Sequence, residues 1–138
     1  MQDYINVTWN IHPDTKQRKT QSFAILRRDI IENEVPDGIM PGNYRIGRLT
    51  GTIFNIIYVG RVDDRKDRGL KDRLIEHIGE WEGTLYFNWN DEFDVETAYR
   101  RECEDYHIWL EHEGTLENDK HPRKPDGMPN LKCSICGQ

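Results

Sequence analysis

No apolar run in this chain approaches the roughly 20 residues that a membrane-spanning helix needs. A membrane-embedded helix is therefore not expected. The opening MQDYINVTWN lacks the basic start and apolar stretch of a secretory signal, so a cytoplasmic protein is expected. Cysteine is scarce: the chain has three, an odd number, which argues against a pure disulfide framework. An excess of positive charge is missing too. Lys and Arg total 19 against 25 Asp and Glu, a net charge of −6. That balance excludes a generally basic nucleic-acid binder and leaves any such contact to a local patch. There is no internal repeat and no low-complexity tract. Four Trp, six Tyr and four Phe argue against disorder, although 32% of the chain is charged. A length of 138 residues fits one domain with a core large enough to need no cross-links.

Local patterns divide the chain. Tyr4 to Trp9 alternates as a strand, with Ile5, Val7 and Trp9 on one side. Ile11 to Gln21, with Pro13 and many polar residues, reads as a loop. Ser22 to Glu34 suits strand or helix equally. Pro36, Gly38, Pro41 and Gly42 then mark a break. Tyr44–Leu49 and Asn55–Val62 read as two strands joined through Thr50-Gly51-Thr52 as a hairpin. Gly69–Gly79 reads as a helix, Thr84–Trp89 as a third strand, and Phe93–His112 as a long helix starting near Asp91 or Asp94. The expected class is α+β, a small antiparallel sheet of about three core strands flanked by helices.

The stretch from Thr115 to Gln138 is too poor in large apolar residues to order itself. It ends in Cys133-Ser-Ile-Cys136-Gly137, half of a tetrahedral metal site. Cys103 and His107 lie four apart on the long helix, hence on one face. Together the four make a closed Cys, His, Cys, Cys set suited to structural zinc, with His121 the rival for the histidine position. A Cys-x-x-Cys pair also suits redox chemistry, but no thioredoxin-like βαβ pattern precedes it. Such a site would pin the tail to the helix and leave no open position for catalysis.

On the wheel of the long helix Val95, Ala98, Tyr99, Tyr106, Trp109 and Leu110 form an apolar stripe, and Glu102 falls inside it. A carboxylate on the core side is costly unless paired, hydrated or bound to metal. It therefore lines a polar cleft or pairs with an arginine, for which Arg73 is a candidate.

The middle of the chain carries Gly42-Asn43-Tyr44-Arg45-Ile46, then Tyr58-Val59-Gly60. Leu70-Lys71-Asp72-Arg73-Leu74-Ile75-Glu76-His77 follows, and then Glu96-Thr97-Ala98-Tyr99-Arg100-Arg101-Glu102. In this order and spacing, over roughly residues 41–112, the chain resembles the GIY-YIG nucleases. Asn43 stands in place of the central Ile. The resemblance implies a divalent-metal-dependent endonuclease hydrolysing phosphodiester bonds, with Glu102 holding Mg²⁺ or Mn²⁺. It implies Tyr44 as a general base, Tyr58 orienting water or phosphate, Arg73 stabilising phosphoryl charge and His77 assisting proton transfer. The family's terminal Asn has Asn118 as nearest counterpart and Asn130 as a weaker one. Asp105 stands where the family has an apolar residue, so Glu104 and Glu96 are fallbacks for Glu102. On this reading residues 1–40 are an N-terminal extension, 41–112 the core and 113–138 a zinc-binding tail.

The run Arg61–Arg73 carries Arg61, Arg65, Lys66, Arg68, Lys71 and Arg73 against Asp63, Asp64, Asp67 and Asp72, an excess of only +2. Arg123, Lys124 and Lys132 add to it only if the tail folds nearby. No separate DNA-reading module is present. The expected partner is DNA or RNA bound without sequence specificity, unless a protein partner supplies recognition. The competing expectation is a catalytically inactive, zinc-stabilised binding or adaptor module on the same fold.

Overall fold

The computed structural model describes residues 2–64 and 69–138. Its elements are β1 (Tyr4–Trp9), β2 (Lys19–Ile25), α1 (Arg28–Glu34), β3 (Gly42–Thr50), β4 (Ile53–Val62), α2 (Leu70–Glu76), β5 (Thr84–Asp91) and α3 (Val95–Glu113). The strands form one antiparallel sheet in the order β1-β2-β5-β3-β4. The class is α+β, as expected, but the sheet has five strands rather than three. The extra pair comes from the N-terminal extension. Ile11–Gln21 is not all loop, because Lys19, Thr20 and Gln21 pair with Trp9, Thr8 and Val7. Those residues carry no apolar alternation, so nothing in the sequence marked them as strand. Ser22–Glu34 turns out to be both candidates in succession: β2 buries Phe23, Ala24 and Ile25, and α1 buries Ile30 and Ile31. No described helix is long and apolar enough to cross a membrane.

The alternation of β3 sorts the helices onto two faces. Tyr44 and Ile46 point towards α1 and α2, where Ile31, Leu70 and Leu74 complete a core with no exposed surface. Asn43 and Arg45 point towards α3. Asn43, fully buried, donates from Nδ2 to the Ala98 carbonyl at 3.0 Å and ties strand to helix. Arg45 pairs with Asp105 at 2.8 Å and donates to Asn88 and Asn90, both at 2.7 Å. Burial pushes the Asp105 carboxyl up, and Arg45 pulls it back towards the charged form. This pairing is why a carboxylate stands among the apolar residues of α3. The helix begins at Asp94, whose side chain accepts from the Thr97 N–H at 2.8 Å, and ends at left-handed Gly114, φ 85°.

β1 and β4 are the edges of the sheet. The chain after α3 covers part of the β4 edge. The Glu117 N–H donates to the Ile57 carbonyl at 2.6 Å. Asn118 then imitates a strand neighbour, accepting from the Val59 N–H at 3.1 Å and donating to the Val59 carbonyl at 2.8 Å.

Two strand glycines are fixed by rings. Gly60 lies opposite Tyr44 in the β3–β4 register. A Cβ on Gly60 would sit 2.3 Å from the Tyr44 ring. Tyr44 is fully buried and cannot swing away. Gly60→Ala should therefore lower stability by about 1–3 kcal/mol, the usual cost of overpacking a core. Urea denaturation checks this, and an unchanged midpoint would contradict the close packing.

Candidate active site and metal centre

Tyr44 presents its hydroxyl to His77 at the C-terminal end of α2. Tyr44 Oη lies 2.7 Å from His77 Nε2, and His77 Nδ1 lies 2.6 Å from a Glu80 carboxylate oxygen. With a neutral ring the Nδ1–H donates to Glu80 and Nε2 accepts from the phenol. Burial pushes the Tyr44 pKa well above 10 and lowers that of His77, while Glu80 resists the latter shift. The Tyr58 ring lies against His77, centroids 4.8 Å apart, and Trp81 packs against both rings, stacked on His77. Burial raises Tyr58 as well, eased by the charge of Arg73. Arg73 stands on α2 within reach of the Tyr44 hydroxyl and bonds Glu76 at 3.4 Å.

Glu102 arrives from the other face of the sheet. It is 8% exposed, and one oxygen meets Arg61 Nη1 at 2.6 Å. The partner is thus Arg61 of β4, not the Arg73 suggested by the sequence. Arg61 also holds Asp63 at 2.7 Å, so one guanidinium serves two carboxylates. Burial pushes the Glu102 carboxyl up to about 7 against the pull of Arg61, and Asp63 and Asp105 add to the rise. Glu96 is exposed near the start of α3 and Glu104 is half-buried, and neither lines the same space.

That space is a cleft of about 520 Å³ running over the edge of β4. Tyr58 and Arg73 line it from one face of the sheet, Arg61 and Glu102 from the other, and Asn118 to Lys124 from the tail. Asn118 holds the cleft through β4, whereas Asn130 does not reach it. Tyr44 and His77 stand behind the lining rather than in it. The sequence did not point to Glu80, Trp81 or Asp63. Glu80 and Trp81 follow the helix that carries Arg73 and His77, which was the available signal. Arg65, Lys66, Asp67 and Arg68 lie outside the described residues, so the full basic run is not placed.

The tail gathers a second set. Ligating atoms of His107, His121, Cys133 and Cys136 lie within 4.8 Å of one another. Tetrahedral zinc sets its ligands roughly 3.3–3.8 Å apart, so modest closure suffices. His107 Nε2 is buried with no hydrogen-bond partner, and His121 Nε2 lies 3.4 Å from Cys136 Sγ. Burial opposes ionisation of Cys133, but the backbone N–H groups of Cys136 and Ile135, with His121 and Cys103, bring its thiol down to about 6. The group fits a metal: an orphaned nitrogen and a thiol poised to ionise converge. His121 is in this set together with His107. Cys103 is not; it is buried beside Tyr99 and Cys133, and burial pushes its thiol up to about 12. Cys103 lies four residues before His107, on the flank that faces the sulfur of Cys133 rather than the centre of the cluster.

Comparison of the chain with protein-family models, with curated proteins and with solved structures yields no match.

The state of His77 sets a pH dependence. Its folded pKa lies below the ordinary value near 6.5. The unfolded chain takes up a proton there that the folded chain resists. His77 therefore contributes fully above that range, and the contribution is lost as pH falls through it. Urea denaturation of His77→Gln should decline less steeply than the native chain between about pH 7 and 5. Parallel curves would mean that His77 does not resist protonation.

Proposed function

We propose that this chain is a divalent-metal-dependent phosphodiesterase acting on nucleic acid, on a GIY-YIG-like core, with a structural zinc in its tail. The observation that carries the reading is the convergence of Tyr58, Arg73 and Glu102 on one open cleft. They come from a strand, a short helix and a long helix, and no need of the core explains their meeting.

The roles follow from position. Glu102 would hold Mg²⁺ or Mn²⁺, which polarises a phosphate oxygen and stabilises the leaving oxygen. The carboxylates of Glu102 and Asp63 around a single Arg61 leave negative charge that suits a cation. Arg73 presents a forked donor to phosphoryl oxygens. Tyr58 directs its hydroxyl to water or phosphate. Tyr44, the proton acceptor implied by the resemblance, lies behind the cleft lining with its hydroxyl on His77, which Glu80 orients in turn. In the resting protein Tyr44 is neutral and acts by holding His77 and Arg73 in place.

In the tail, two thiolates and two imidazoles form a Cys₂His₂ set that suits zinc better than a hard cation. Chelator-free protein should carry about one zinc per chain, and Cys133→Ser should release it and expose the tail to proteolysis. A metal-free protein with an equally protected tail would refute the zinc centre.

The hydrolytic reading is tested by incubating a panel of DNA and RNA forms with Mg²⁺ or Mn²⁺. The native chain should cleave at least one form, while Arg73→Ala and Glu102→Ala should lose about 10²-fold or more of the rate. The short Arg61–Glu102 ion pair favours a second reading, a binding module whose carboxylate is neutralised by its own arginine. Binding without cleavage across the panel would select it.

A further inference from the structure

The proposed hydrolysis makes no use of Trp81, an aromatic residue of the cleft lining. Trp81 lies beyond α2, half-buried, and lines the cleft. Its ring stacks on His77 with centroids 5.1 Å apart and planes 21° from parallel, and lies 5.0 Å from the Tyr58 ring. His77 and Tyr44 behind it are buried. The indole is thus a fixed surface backed by packed rings, not a loose surface side chain. Proteins seat unpaired bases on such fixed aromatic faces with Lys and Arg alongside for the phosphates, and Arg73 and Lys120 share this lining with Trp81.

Two features of the cleft disfavour a duplex. Its volume of about 520 Å³ is that of a pocket for a small ligand, about 300–1,000 Å³. The tail closes the far side, fastened by Asn118 to β4 and by His121 at the metal cluster. A duplex also keeps its base faces stacked inside, out of reach of Trp81.

We propose that the cleft takes a single nucleic-acid strand, DNA or RNA. An unpaired base stacks on Trp81, and the adjoining phosphates lie between Arg73 and Lys120 of the tail. The substrate class rests on the hydrolytic reading above, but the binding mode does not require that cleavage occur.

The test uses the full chain loaded with zinc and without Mg²⁺ or Mn²⁺, so that strands are bound and not cut. Fluorescence anisotropy follows fluorescein-labelled oligothymidylate, oligouridylate and a blunt DNA hairpin. Both single strands, or one of them, should bind more tightly than the hairpin. Trp81→Ala should weaken single-strand binding about 5- to 150-fold, the range for loss of one stacked base. Trp81→Phe should keep most of the affinity. Binding should quench tryptophan emission in the native chain and quench it far less in Trp81→Phe, a change that a merely structural Trp81 would not produce. Circular dichroism and zinc content show whether Trp81→Ala is folded; if it is not, the Trp81→Phe quenching result decides. A hairpin bound as tightly as single strands, or unchanged affinity and quenching in the variants, would overturn the proposal. Tight single-strand binding through Trp81 with no cleavage after Mg²⁺ or Mn²⁺ is added would instead overturn the hydrolytic reading alone. Arg73-dependent cleavage confined to duplex would do the reverse.

Discussion

The edge of β4 is the constraint on which the arrangement of the site depends. An edge strand presents unpaired backbone groups that must be satisfied or covered. Here the cover is a segment with little apolar surface of its own, held by the Glu117 backbone and by both ends of the Asn118 amide. The cleft lies beside this cover, with the tail from Asn118 to Lys124 forming part of its lining. Side chains from both faces of the sheet meet there, because at an edge the two faces are only one strand apart.

Two arginines on the α3 side of the sheet show how similar pairs serve different ends. Arg45 and Asp105 are enclosed, and Asn88 and Asn90 take the remaining guanidinium donors. Their charges are satisfied, and the pair fixes helix to strand. Removing one partner of such a pair costs about 3–5 kcal/mol. Arg61 and Glu102 sit one helical turn away and open onto the cleft, with Asp63 competing for the same guanidinium. Burial, with Asp63 adding to it, pushes the Glu102 carboxyl up to about 7 against the pull of Arg61. A group that can be charged or neutral at little cost suits a site that must change its charge when a cation or phosphate arrives.

Much of this was legible in the sequence, for physical reasons that differ by element. α3 declared itself through a long apolar stripe, a capping Asp94 and a terminal Gly114. The inward position of Glu102 was visible on the same wheel. β3 and β4 were visible as two β-prone runs joined by a short Thr-Gly-Thr connection, although β3 is buried through most of its length rather than alternating. The start of β2 was not, since polar residues paired near a sheet edge leave no period to read. The partner of Glu102 was missed because Arg61 and Arg73 are equivalent on paper. Strand parity turns Arg61 to the α3 face, whereas Arg73 sits on α2 on the far side of the sheet. A His/Cys cluster compatible with a metal was foreseen in the tail. Spacing along a helix could not decide between Cys103 and His121, because that depends on where a loop returns.

The position of β5 has a consequence for how the chain reaches this structure. β5 pairs with β2 on one side and with β3 on the other. The N-terminal hairpin and the β3–β4 hairpin each close through local contacts, but they are joined into one sheet only by a strand some sixty residues downstream of β2. Contacts of that separation are slow to form, since the loop must close before pairing rewards it. Until β5 inserts, Phe23, Ala24 and Ile25 stand on an open edge, a short apolar strand ready to pair with another chain. Insertion of β5 joins the two hairpins into one sheet and covers the β2 edge.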